Sequence, residues 1–230
     1  MRFFHADAIW RDYPALTPGV LLAAGPPCQG AAVPGLARFY SQAAARLAAC
    51  TEGDLPEIQA WRRAFSTMGL KPTQYRCASE SLLRRFRKEG ALASIHPLID
   101  LCNAVSIAFA TPIAVFDVSR IDGGLEVRHA EGTETYAAFS GALEYPDPGE
   151  VVFADCRRRA HARRWTHRQS ALSAVRHDTE AVLIVAEGLH ASAGVDVPQI
   201  IAAVREGLNE LGWQARKSAI LNRTSPTFEF

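Results

Sequence analysis

The sequence predicts an α+β fold, and three observations carry that prediction. Apolar residues recur at helical spacing through the first half of the chain. From residue 112 the period shortens to two, with Gly- or Pro-containing turns between the segments. A continuous apolar run at 181–189 (AVLIVAEGL) then precedes one more helical stripe. Helices, then consecutive strands, then a strand and a helix form the order of an α+β domain, not of alternating β and α units.

Residues 19–24 (GVLLAA) read as a strand, followed by the Gly/Pro stretch GPPCQG at 25–30. Leu36, Phe39, Ala43 and Leu47 share one helical stripe. Asp54 is positioned as the N-cap of the next helix, with Pro56 in its first turn and Ile58, Trp61 and Phe65 inward, before Gly69 and Pro72 end it. Ser79 is the expected N-cap of SESLLRRFRKEG, with Leu82, Leu83 and Phe86 inward and Gly90 at the C-terminal end. The outer face of that helix carries Arg84, Arg85, Arg87 and Lys88. Pro97 opens a helix whose stripe is Leu98, Cys102, Val105 and Phe109. The strand-like segments are 112–118, 125–129, 134–139 and 150–155, and DGG at 122–124 is a hairpin signal. Asp196 and Pro198 start a last helix that stops at Gly212, and the final TSPTFEF reads as a surface tail or edge strand.

At 230 residues the chain is long enough for one large domain with a full core. Its 48% hydrophobic and 21% charged composition excludes a disordered or collagen-like polymer. No apolar run reaches the roughly 18 residues that span a bilayer, and Asp7 and Asp12 break any N-terminal signal-peptide pattern. The cysteines (Cys28, Cys50, Cys77, Cys102, Cys156) form no C-x-x-C pair and no metal-ligand spacing with the histidines. Reduced thiols in a cytoplasmic protein, with no metal and no cofactor, are the expectation.

No G-x-S-x-G, P-loop, G-x-G-x-x-G after a strand or H-E-x-x-H is present. Cys28 sits in a Gly/Pro turn but has no identified activating base. Asn103, among apolar helix residues, must find partners either in the fold or in a pocket. Asp117, ending a short apolar strand, suits a turn cap or an α-amino group. His96 precedes Pro97 at a helix start, a capping or surface position. The net charge of +1 hides a basic run at 157–168, RRRAHARRWTHR, with six arginines, two histidines and no acid. Such a run is ordinarily a solvated face. Here Trp165 interrupts it, which suits phosphate contact with base stacking, or a pocket with Trp165 as wall and Arg168 and Gln169 on a carboxylate or ester carbonyl.

Several stretches, in order, resemble the B3/B4 domain of the bacterial phenylalanyl-tRNA synthetase β subunit, and in particular its freestanding single-domain relatives. They are ASESLLRRFRKEG (78–90), IHPLIDLCNAVSIAFATPIAVFDVSRI (95–121), LEVRHAEGTETYAAFSG (125–141), GEVVFAD (149–155), RRWTHRQS (163–170) and DTEAVLIVAEGL (178–189). The resemblance runs from about residue 61 to 189, leaving 1–60 as an N-terminal extension and 190–230 as a C-terminal helix and tail of a single domain. It implies a β-barrel-like core with helices packed around it. It also implies an editing-type activity, hydrolysis of a mischarged aminoacyl-tRNA ester in trans.

In that setting Asn103 and Asp117 are expected to orient the amino acid's α-amino group. Trp165 and His96 contribute to the substrate pocket, Arg168 and Gln169 meet the terminal adenosine or the carbonyl, and Thr179 or Glu187 positions water. Arg84, Arg85, Arg157, Arg158, Arg163 and Arg164 are expected to hold phosphates of the tRNA acceptor end. Two positions depart from the synthetase pattern: Ala114 stands where it has histidine, and Cys102 where it has threonine. Loss of both polar groups argues against tyrosine as the amino acid recognised. Two alternative expectations are a non-catalytic tRNA- or amino-acid-binding module and a small-molecule binder that no longer uses tRNA.

Overall fold

A computed structural model describes residues 1–27, 33 and 35–230. The N-terminal residues, expected as an extension, are built into both sheets. Strand β1 (Arg2–His5) and helix α1 (Asp7–Asp12) precede β2 (Thr17–Ala24). Helices α2 (Leu36–Ala49), α3 (Pro56–Thr67), α4 (Ala78–Glu89) and α5 (Pro97–Phe109) follow, then β3 (Ile113–Asp117) and β4 (Gly124–His129). The remaining elements are β5 (Tyr136–Ala137), β6 (Leu143–Glu144), β7 (Val151–Asp155), β8 (Ala160–Arg163), β9 (Arg168–Gln169), β10 (Ala181–Gly188), α6 (Ala193–Glu210), β11 (Gln214–Ile220) and β12 (Thr227–Glu229).

Strands β12-β1-β4-β7-β8-β9 form one sheet, β11-β2-β10-β3 a second, and β5-β6 a short ribbon. The fold is therefore α+β, with two open sheets in place of a closed barrel. The second sheet is buried on both faces, which explains the unbroken apolar run of β10. Leu183 and Val185 pack in the core shared with Phe3, Trp61, Phe116, Phe153 and Trp165. Val182, Ile184 and Ala186 pack against Leu101, Val105, Ile200 and Val204 of α5 and α6. A strand with two buried faces has no reason to alternate.

Several local expectations are corrected. The DGG turn makes no hairpin: β3 is the edge of the second sheet, whereas β4 lies between β1 and β7 in the first. A 3-10 turn at Val118–Arg120 redirects the chain between them. Gly124 is needed for a close approach, because a Cβ there would stand 2.6 Å from the Arg2 carbonyl oxygen. Asp54 does not cap α3, whose N-cap is Leu55. Its carboxylate instead accepts from the Thr51 amide (3.3 Å) and hydroxyl (2.6 Å) and closes the preceding turn. Cys77, not Ser79, is the N-cap of α4. Helix α6 starts at Ala193, so Pro198 lies inside it. The segment 134–139 keeps only a two-residue strand.

The largest correction concerns the basic run. Its middle is β8, and all four residues of that strand are buried. The tail TSPTFEF does become an edge strand, pairing with β1 and burying Phe228. Among the described residues, no helix is long and apolar enough to cross a membrane.

Candidate functional site

The loop joining β8 to β9 builds the site. Arg164 and Trp165 both adopt left-handed backbone, with φ of 47° and 56°. Non-glycine residues rarely do so, and here the loop is tied on both sides. The Trp165 amide donates to the Val151 carbonyl (2.6 Å), and the Ala78 amide donates to the Thr166 carbonyl (2.8 Å). The turn drives the indole inward until it is 0% exposed. Tyr13 and Trp61 meet it edge-on, with centroids 4.7 and 5.0 Å away.

The indole Nε1–H donates to both carboxylate oxygens of Glu187, at 3.1 and 3.0 Å. His5 Nε2 lies 2.7 Å from Glu187 Oε1, with both side chains buried. Glu187 also lines a small pocket of about 60 Å³. Its other walls are Ala114, Phe153, Trp165 and Val185, with His167, Arg168 and Gln169. Gln169 is fixed by donating from Nε2 to the Val115 carbonyl (2.5 Å), a bond between the edge strands of the two sheets. Arg168 is steadied by Glu144 at 3.1 and 3.2 Å. The space accommodates a few water molecules or a short side chain.

Of the sequence candidates, Trp165, Arg168, Gln169 and Glu187 line one cavity. The other candidates do not line it. Asp117 caps the 3-10 turn, accepting from the Ser119 amide (2.9 Å) and hydroxyl (2.6 Å), and takes the Thr179 hydroxyl at 2.8 Å. That satisfies both residues within the fold. His96 caps α5, its Nδ1 accepting from the Leu98 amide; burial, with His177 nearby, pushes its pKa down. Asn103 is half-buried on α5, outside the pocket wall. Of the two departures from the synthetase pattern, Ala114 lines the pocket, whereas Cys102 is buried in the α5–α6 core. Cys28 lies outside the described residues.

The basic run is neutralised within the fold, because each of its arginines has a carboxylate partner. Arg157 pairs with Asp122, Arg158 with Glu131 (3.5 Å) and Arg159 with Asp155 (2.5 Å). Arg163 pairs with Glu150 (2.5 Å) and Glu144 (2.7 Å), and Arg164 with Glu150 (3.4 Å). Buried Arg163 cannot present its charge to a phosphate. On α4, Arg84 pairs with Glu52 at 2.9 Å, while Arg85 is exposed with no carboxylate partner among the described residues.

One group of metal-ligating types exists among the described residues: Glu57, His190 and Asp196, with candidate atoms within 4.8 Å of one another. Their charges are already engaged. Arg46 bonds both Glu57 oxygens at 2.7 Å, and His190 Nε2 bonds Asp196 at 2.8 Å. A cation there would have to compete with the Arg46 guanidinium.

Among the titratable residues of the pocket wall, His167 is the one to which the sequence assigns no role. It sat inside the arginine run, and its only signal was its place between Trp165 and Arg168. In the structure its Nδ1 is 2.8 Å from the Arg76 carbonyl oxygen. A carbonyl only accepts, so Nδ1 carries the proton.

The comparisons agree with this architecture. The family described as the B3/4 domain matches residues 60–195. The phenylalanine–tRNA ligase beta subunit of Cereibacter sphaeroides is 38% identical over 74 residues, covering 32% of this chain and 9% of that subunit. That of Nitrobacter winogradskyi is 36% identical over 76 residues, covering 33% and 9%. The matched stretch is therefore a small part of the curated relatives' own length. Among solved structures, an N-terminal fragment of the phenylalanyl-tRNA synthetase beta subunit from Pyrococcus horikoshii aligns with a TM-score of 0.50 at 11% identity. It covers 92% of this chain and 49% of that one, a likeness of fold alone. The family match takes in more than half of the chain and every residue of the pocket wall, and the chain belongs to the B3/4 domain family.

Proposed function

We propose that this chain is an editing-type aminoacyl-tRNA deacylase, hydrolysing a mischarged ester in trans. One observation carries the reading: a buried carboxylate, Glu187, is gripped by two N–H groups at the wall of a small pocket whose rim holds Arg168 and Gln169. An aminoacyl ester is already activated, so positioned water and charge stabilisation at the carbonyl suffice. No side-chain nucleophile is required. Glu187 orients water or the substrate ammonium, Arg168 offsets charge developing on the carbonyl oxygen, and Trp165 with Phe153 keeps the pocket apolar. The small volume favours a short amino-acid side chain. The tRNA acceptor end is the proposed partner, the cytoplasm the proposed location, and a single domain spanning 1–230 the proposed working unit.

The test is hydrolysis of a panel of mischarged tRNAs, read against the spontaneous rate. Cleavage of at least one member above that rate is expected. No cleavage by folded protein would remove the enzyme reading.

A second reading, a non-catalytic tRNA- or amino-acid-binding module, is favoured by the placement of Asn103, Asp117 and Thr179 away from the pocket. Filter binding of tRNA over a salt series separates the two. Salt-sensitive binding without turnover supports the module.

A further inference from the structure

We propose that His167 is the general base of the pocket, taking a proton through Nε2 from the water that attacks the ester. The proposal deepens the deacylase reading and rests on it. Its ground is geometric. His167 lines the same pocket as Glu187 and Arg168. Donation from its Nδ1–H to the Arg76 carbonyl leaves Nε2 as the lone-pair nitrogen. Among the described residues Nε2 has no hydrogen-bond partner, and it is not among the solvent-sealed polar atoms. The ring is held from two sides, edge-on to Phe65 at 6.5 Å and to Tyr75 at 5.4 Å between centroids. A base must be fixed, unprotonated and accessible, and His167 meets all three conditions.

Its surroundings keep it neutral. Burial lowers its pKa below the ordinary 6.5, and Arg164, Arg168 and Arg163 press the same way, against the Arg76 carbonyl. The phenol of Tyr75 and the Glu187 carboxylate are the other titratable groups around it. Glu187 is less suited to the base's role, because both of its oxygens are already taken up by the Trp165 indole and one of them also by His5.

The step balances. Water oxygen bonds to the ester carbon as Nε2 takes one of its protons, and the carbonyl pair moves onto the oxygen beside Arg168. Collapse restores the carbonyl and breaks the bond to the ribose oxygen, which takes the proton back from the imidazolium. The products are the free amino acid and the ribose hydroxyl.

The experiment uses the full chain and two readouts. For hydrolysis of the aminoacyl-tRNA panel, wild type should follow a pH profile rising to a plateau, with its midpoint below the ordinary histidine value of 6.5. His167→Ala should lose roughly 10²–10⁴-fold together with that titration, His167→Gln should fail to restore it, and added imidazole should recover part of the His167→Ala rate. An unchanged rate and profile in His167→Ala overturns the proposal and leaves the deacylase reading standing. The second readout does not need turnover: carbethoxylation of His167 by diethyl pyrocarbonate, mapped by mass spectrometry. Modification that persists below the ordinary histidine range supports an available neutral Nε2, even if no panel member is cleaved and the deacylase reading falls. An unreactive His167 overturns the proposal.

Discussion

Trp165 and Glu187 meet through both carboxylate oxygens, with the indole N–H placed almost evenly between them at 3.1 and 3.0 Å. The donor comes from a left-handed turn at the end of β8 and the acceptor from the last turn-facing stretch of β10, so the contact locks one sheet to the other.

Trp165→Phe should therefore destabilise the protein by more than lost area suggests. It removes the donor while leaving the buried carboxyl group in place, and a buried acceptor short of a partner costs about 1–3 kcal/mol. Urea unfolding of Trp165→Phe, Glu187→Gln and the double variant measures the coupling. If the single losses simply add, the bond contributes nothing.

The arginines of the run should not be interchangeable. Arg163→Met leaves Glu150 buried beside an apolar side chain, and breaking such a pair costs about 3–5 kcal/mol. Arg157, whose side chain is 73% exposed, should cost about 0–1 kcal/mol on the same change. Thermal unfolding of the two variants decides this; equal losses would mean that burial does not set the ranking.

Acid should unfold the protein in two stages. Burial lowers the pKa of His96 and His167, so the folded state stays neutral where the unfolded chain takes up protons. That stability is lost as pH falls through the ordinary histidine value, near 6.5. The second stage belongs to carboxylates. Burial alone would raise Asp155, but His161 and Arg159 outweigh it and hold it far below the usual range. Glu150 is likewise lowered against burial, chiefly by Arg163. A depressed carboxylate stabilises above its unfolded pKa, so this part disappears as pH drops below about 4. Denaturant midpoints from pH 7.5 to 3 should show both declines, and a flat curve between 7 and 5 would contradict the first.

RNA affinity, where present, should depend on which cations lack partners. Arg85 and Lys88 on α4 are exposed without carboxylates among the described residues, whereas Arg84 is held by Glu52. Removing a phosphate contact lowers the salt slope by about one. Arg85→Ala should do so, and Arg163→Lys should not. Filter binding of tRNA over a salt series checks both, and an unchanged slope for Arg85→Ala would exclude that face.

Much of this was legible in the sequence where periodicity carried it. Leu98, Cys102 and Val105 of α5 lie on the stripe their spacing indicated, and β10 is the buried strand its apolar run required. Legibility failed where partners are distant in sequence. The arginines of 157–168 suggested a solvated face or a ligand contact because most of the carboxylates that pair with them lie elsewhere, at Asp122, Glu131, Glu144 and Glu150. The site behaved likewise. Trp165, Arg168 and Gln169 were readable as a cluster because they are adjacent in the chain. His5 was not, since β1 brings it to Glu187 from 182 positions away. Asp117 and Thr179 bond within the fold, which the sequence does not separate from a ligand contact because a turn cap and a ligand contact use the same residue types.

The edge-on packing of Tyr13 and Trp61 around Trp165 gives the pocket an intrinsic optical signal. Trp165 is one of four tryptophans in the chain, and it both forms the pocket wall and bonds to the Glu187 carboxyl group there. Filling or emptying the cavity alters the polarity around that indole, so its emission can report occupancy without a label.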